Sequence, residues 1–251
     1  MTLALGLAGF VLVGLALGML GGGGSILANP VLVYVLAIPA GTAAPMALPV
    51  VGITAAAGAF VRWRMGHVRL RTGAVFAACS MLASYAAARL GVGIPDRSRL
   101  LLFGGVMVVA SIMMWRRSMN MASDHHVKHH RAIEIVPVAI LVGALTGILG
   151  VGGGFLIVPA LAAVLELPMR EAAATSLAVI ALNSAAASAG FLTKHVTIDL
   201  QLTALVTVAA LIGMAIGLRL APKHSGATLA RAFAVVVLVL GVFIIGKELV
   251  N

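Results

Sequence analysis

The stretch Gly18-Met19-Leu20-Gly21-Gly22-Gly23-Gly24-Ser25-Ile26-Leu27-Ala28-Asn29-Pro30, closed by Pro39, has a second copy. That copy reads Gly147-Ile148-Leu149-Gly150-Val151-Gly152-Gly153-Gly154-Phe155-Leu156-Ile157-Val158-Pro159, closed by Pro168. Gly18 and Gly147 are 129 residues apart (147 − 18), and so are Gly21 and Gly150, Pro30 and Pro159, and Pro39 and Pro168. Chance likeness between apolar stretches does not keep register over this distance without a gap. The pattern therefore indicates an internal duplication.

Outward from these two stretches, charges divide the chain into ten apolar segments, five per half. They cover residues 2–20, 25–38, 42–61, 72–90 and 100–115, then 133–149, 155–165, 172–192, 200–220 and 228–246. A membrane-spanning helix needs about 20 apolar residues, and most of these segments come close to that. The second and seventh, which hold Pro30 and Pro159, are too short to span comfortably. Composition points the same way: 62% of the 251 residues are hydrophobic and 10% are charged, against roughly 25% charged in soluble domains. The expected fold is an all-α polytopic membrane protein. It comprises a first repeat over 1–115, a His-rich cytoplasmic linker over 116–132 and a second repeat over 133–251.

Five segments per half is an odd number, so the second half is expected to be inverted in the membrane. The formal charge of +10 suggests nucleic acid at first sight, but the basic residues sit between apolar runs rather than on one soluble surface. They follow the positive-inside rule instead. Loop 62–71 carries Arg62, Arg64, Arg69 and Arg71; loop 116–131 carries Arg116, Arg117, Lys128 and Arg131 against Asp124; loop 222–231 carries Lys223 and Arg231. Alternation places all three on the cytoplasmic side and both termini outside. The short loop with Glu166, Arg170 and Glu171 falls inside as a slightly acidic exception. The N-terminus has no basic region of the signal-peptide kind and reads as a retained helix. Cys79, the single cysteine, reports nothing about redox compartment.

Paired short segments interrupted by Gly and Pro, one in each inverted half, point to a transporter's central site. In lipid, non-helical backbone is tolerated only where protein buries it or where it lines a watery cavity. Asn29-Pro30 reads as a helix start, because Asn caps free N–H groups and Pro suits the first helical position. Glycines before it admit a ligand close to the backbone, and free N–H groups at the positive end of a helix dipole suit an anion. Glycines also serve close helix packing. The expected substrate-binding residues are Gly21, Gly22, Gly23, Gly24, Ser25 and Asn29 in the first copy and Gly150, Gly152, Gly153 and Gly154 in the second. Thr175, Ser176 and Asn183 join them. Thr54 and Asn183 stand at equivalent positions, 129 residues apart, and Ser176 lies two helical turns before Asn183 on the same face. For these polar groups, ligand contact and helix–helix hydrogen bonding both remain open. The two breaks are expected to meet near the bilayer midplane, with the helix starts at Pro30 and Pro159 facing each other.

These residues resemble the sulfite exporter TauE/SafE family, also called TSUP transporters. The resemblance rests on Gly21–Gly24 with Pro30, on the second copy over 150–154 with Pro159, on the basic loop after the third segment and on the His-rich central loop, and it covers essentially the whole chain. It implies transport of small sulfur-containing anions, such as sulfite, sulfonates or sulfoacetate, across the bacterial inner membrane.

No Walker A motif is present, so the chain does not by itself hydrolyse ATP. The partners of such a transporter are the anion, the lipid bilayer and a coupling ion, proton or sodium. An anion channel is the alternative within the same class. An intramembrane enzyme is the competing class, but there is no H-E-x-x-H or G-x-S-x-G, and Ser25 has no evident His partner. The expectation is therefore no enzyme and no cofactor. His125, His126, His129 and His130 have an i, i+4 metal spacing if helical, yet they sit with Asp124 and Lys128 in a charged connector and read as a solvated linker with no metal. His67 and His195 read as interfacial, as do the anchors Trp63 and Trp115.

Overall fold

The computed structural model describes residues 2–90, 96–120, 132–149, 154–192 and 199–250, and all regular structure among them is helical. The first half contains α1 (Thr2–Leu20), a 3-10 turn (Gly22–Gly24), α2 (Ser25–Pro30) with a π turn (Val31–Val35), α3 (Ala40–Arg64), α4 (Leu70–Leu90) and α5 (Asp96–Asn120). The second contains α6 (Ala132–Leu149), α7 (Gly154–Pro159) with a π turn (Ala160–Val164), α8 (Met169–Leu192), α9 (Leu200–Leu220) and α10 (Gly226–Val250). Among the described residues five stretches are long and apolar enough to cross a membrane: Thr2–Leu20, Pro45–Arg64, Leu101–Met119, Leu200–Lys223 and Gly226–Gly246. Shorter apolar helices cover Gly22–Val35, Ile135–Thr146 and Gly154–Val164. Large apolar side chains such as Leu12, Leu82 and Phe243 are exposed, which suits a lipid solvent. The protein is a polytopic, all-helical membrane protein.

The short helices begin earlier than the sequence reading places them. Gly22–Gly24 run into α2, and α7 is already helical at Gly154, so Asn29 is not an N-cap and neither Pro30 nor Pro159 is a first helical residue. Both prolines instead close an α-helical turn that widens into a π turn. A proline has no N–H for the carbonyl four residues back and crowds that carbonyl. The chain therefore switches to bonds over five residues, from Leu36 N–H to the Val31 oxygen (3.1 Å) and from Leu165 N–H to the Ala160 oxygen (2.9 Å). Each π turn ends on a left-handed residue, Ala37 (φ 53°) and Glu166 (φ 50°). Such a backbone costs a non-glycine residue roughly 1–2 kcal/mol, and helix ends commonly adopt it with Gly. The two sites are again 129 residues apart (166 − 37), so the copies share an unusual local backbone as well as a sequence pattern.

Helices pair across the halves. α1 packs on α9, α4 on α6, α3 on α8 and α5 on α10, while α3 also meets α9 and α4 meets α8. Exchanging each helix for the one five places along turns this set of pairs into itself. Lipid gives helices no hydrophobic reason to associate, so close packing through small residues does the work. A Cβ on Gly14 of α1 would collide with the Ala210 backbone of α9, and one on the equivalent Gly143 of α6 would collide with the Ser80 backbone of α4.

One face of the molecule is basic and tied together. Arg69 donates from Nε and Nη2 to the Glu171 carboxylate (2.7 and 3.2 Å), and Arg117 donates to the Glu166 carbonyl (3.1 Å). Arg170 reaches the carbonyls of Pro222 and His224 (3.2 and 3.3 Å), and Arg231 reaches the Ser118 hydroxyl (3.4 Å). The described parts of the loops that charge counting assigns to one side thus lie on one face. Glu166, where the α6–α7 hairpin returns, is on this face. The α1–α2 hairpin returns elsewhere: Val31 and Leu36 abut Gly9 and Gly6 near the start of α1, while the end of α1 is held by Arg62. Twelve residues of helix, about 18 Å, separate Gly6 from Gly18, so the first hairpin opens toward the opposite face.

Candidate functional site

The tips of the two hairpins are in contact. Gly21 has φ 77°, a conformation natural to glycine, and its N–H closes on the Leu17 carbonyl (2.9 Å). A Cβ on Gly21 would sit 2.7 Å from Ser176 Oγ and 2.8 Å from Ala173 Cα of α8. One on Gly22 would overlap the Gly154 carbonyl oxygen, and one on Gly154 would lie 2.6 Å from Ser25 Oγ. Gly21, Gly22 and Ser25 of the first half therefore touch Gly154 and Ser176 of the second. Gly24 instead lets the hairpin close on its own α1, at Val13 and Leu17. A Cβ on Gly23 would lie 3.1 Å from the Phe233 ring of α10, with no backbone in the way. Gly150, Gly152 and Gly153 lie outside the described residues, as do His125, His126, His129, His130 and His195.

The hydroxyls at the tips bond locally. Ser25 Oγ donates to the Gly22 carbonyl (2.7 Å) and Ser176 Oγ to the Ala173 carbonyl (2.9 Å). Thr54 donates to Val50 in its own helix (2.7 Å). Thr175 is fully buried and accepts from the Arg69 N–H (3.0 Å), so it pins the loop after α3 to α8. Asn29 and Asn183 differ from all of these, because the Oδ1 atom of each is buried without a hydrogen-bond partner. Asn183 lies seven residues beyond Ser176, about 10 Å along α8, and is not part of the tip contact itself. Among the described residues no three His, Cys, Asp or Glu side chains converge as a metal site.

Arg62 is the residue that sequence reasoning misplaced. Charge counting treats it as a loop cation, but it lies inside α3 and is only 5% exposed. Its Nη2 donates to the Gly18 carbonyl at 2.5 Å. The last carbonyls of a helix have no partner within it, and a cation there complements the dipole. Arg62 thus closes the end of α1 just before the break. From sequence, an arginine two residues before a helix end cannot be told from one just beyond it.

The sequence pattern of the family described as sulfite exporter TauE/SafE matches residues 5–244. A probable membrane transporter protein of Xylella fastidiosa strain 9a5c is 32% identical over 249 residues, covering 94% of this chain and 92% of the relative. A probable membrane transporter protein of Methanocaldococcus jannaschii is 25% identical over 240 residues, covering 85% and 87%. No solved structure matches the chain. A match over nearly the whole length, with a relative of the same extent, means that the chain belongs to the sulfite exporter TauE/SafE family of membrane transporters.

Proposed function

We propose that the protein is a secondary transporter that carries small sulfur-containing anions, of the sulfite, sulfonate or sulfoacetate class, across the bacterial cytoplasmic membrane by alternating access. Residues 1–115 and 133–251 act as inverted halves joined by the linker 116–132. The observation that carries this reading is the contact of the two hairpin tips, Gly22 against Gly154. Support for inversion comes from the first hairpin opening to one face and the second to the other, while the pairs that survive exchange of the halves support only their twofold relation.

Each tip opens a short helix, described from Gly22 in the first half and from Gly154 in the second. Its first N–H groups have no acceptor within the helix, and the two positive dipole ends approach each other. An anion between them relieves that repulsion and replaces its lost hydration with oriented N–H groups. Helix-end charge attracts less firmly than a fixed Lys or Arg, which favours release and turnover. The side-chain amides of Asn29 and Asn183, whose Oδ1 atoms have no partner, can turn to present their Nδ2 donors to an anion. Substrate passage requires the tips to part, and only backbone and small side chains need to separate. A gradient of protons or sodium drives the cycle.

The test is uptake of a panel of anions into proteoliposomes with imposed proton and sodium gradients. Saturable flux of a sulfur oxyanion with countertransport is expected. Flux that does not saturate indicates a channel, and no flux of any sulfur anion overturns the reading.

A further inference from the structure

Arg62 has donor capacity beyond its bond to Gly18. Its Nε is buried and has no partner, in a side chain more than nine-tenths buried. The same side chain lines a cavity of about 60 Å³ on the basic face, together with Arg170, His67, Met65 and Leu218. Arg170 is steadied by the Pro222 and His224 carbonyls, which orient its guanidinium without cancelling its charge. The adjacent carboxylate, Glu171, is already bound by Arg69 through both oxygens. Arg62 and Arg170 therefore line one small cavity together with His67, and no carboxylate is among its lining residues.

Guanidinium forks match oxyanions, and their charge-assisted hydrogen bonds are strong. A cavity of about 10–15 Å³ holds one water, so the space is that of a few waters and suits a small oxyanion group rather than a nucleotide or a peptide. The equivalent positions in the other halves are occupied differently: Phe191 corresponds to Arg62 (191 − 62 = 129) and Gly41 to Arg170 (170 − 41 = 129). The duplication therefore does not account for the pair of arginines, which the two copies do not share.

We propose that this cavity is a second anion-binding site, a vestibule on the basic face that holds a sulfite or sulfonate group between Arg62 and Arg170. It lies one side chain away from the hairpin tip, because Arg62 also holds the Gly18 carbonyl. The choice of a sulfur oxyanion rests on the transporter reading above; the site itself does not.

Met65, an exposed residue on the cavity wall, offers a local probe. In full-length, detergent-solubilised protein carrying Cys79→Ser and Met65→Cys, maleimide labelling is followed with and without sulfoacetate at constant ionic strength. Sulfoacetate is expected to slow labelling. In Arg170→Gln, and separately in Leu218→Asp, the concentration for half-protection should rise about tenfold or more, as for loss of one charge-assisted hydrogen bond. No protection in the parent, or undiminished protection in both folded variants, overturns the vestibule. Protection without transport of any sulfur anion would sink the transporter reading alone, and transport without protection would sink the vestibule alone.

Discussion

Gly22 lies directly on the carbonyl oxygen of Gly154, in the other half of the molecule, so closely that a Cβ would overlap that oxygen. Because the obstacle is backbone, it cannot turn aside as a side chain could. Gly22→Ala should lower stability by about 1–3 kcal/mol, the usual cost of overpacking. Gly23→Ala meets only the edge of the Phe233 ring and should cost less. Thermal unfolding of the two purified variants, followed by size-exclusion chromatography, checks the order; equal losses would mean the tips are not in this contact.

Asn183 separates a substrate contact from a packing contact. Its buried Oδ1 has no partner, and an unsatisfied buried polar group costs about 1–3 kcal/mol. Asn183→Leu should therefore leave thermal stability unchanged or raised, while transport in proteoliposomes falls about tenfold or more, as expected when a bound anion loses the hydrogen bond donated by the amide Nδ2. Full transport by a stable variant would remove Asn183 from the site.

Arg62 is expected to matter for stability through the Gly18 carbonyl. Arg62→Met leaves that carbonyl without its donor and should cost about 1–3 kcal/mol. Arg62→Lys keeps a donor and a charge on a shorter, unforked head and should recover part of the loss. A Lys variant no more stable than the Met variant would show that the guanidinium packs there rather than bonds.

Topology is open to direct measurement in cells. With Cys79 replaced, single cysteines at positions 67 and 125 should resist an impermeant maleimide added to intact cells and react once the membrane is opened. Labelling of either position from outside would reverse the assigned orientation.

Much of this architecture was legible in the primary structure for identifiable reasons. Lipid demands long apolar runs and internally satisfied backbone, so segment number and helical class follow from the spacing of charges. The duplicated Gly and Pro positions marked the hairpin breaks, and the same 129-residue offset reappears in the π turns and in the left-handed Ala37 and Glu166. The start of the short helices was misread at Asn29-Pro30, because an Asn-Pro pair is a good N-terminal signal in isolation. The competing effect was local: three glycines are also able to form a 3-10 turn when neighbours enclose them, and the π turn then absorbs the proline.

The sequence alone determined that this is a duplicated, all-helical membrane protein with two broken helices and a basic side, since each property depends on composition and on distances along the chain. Only the tertiary structure decided that Gly22 meets Gly154, that Thr175 holds a loop while the Asn183 Oδ1 is left without a partner, and that Arg62 folds inward to the end of α1 beside Arg170. These are contacts between residues far apart in sequence, 106 residues in the case of Arg69 and Thr175. Which partner each acquires depends on how close two backbones come, and that depends on the packing of whole helices rather than on any neighbouring residue.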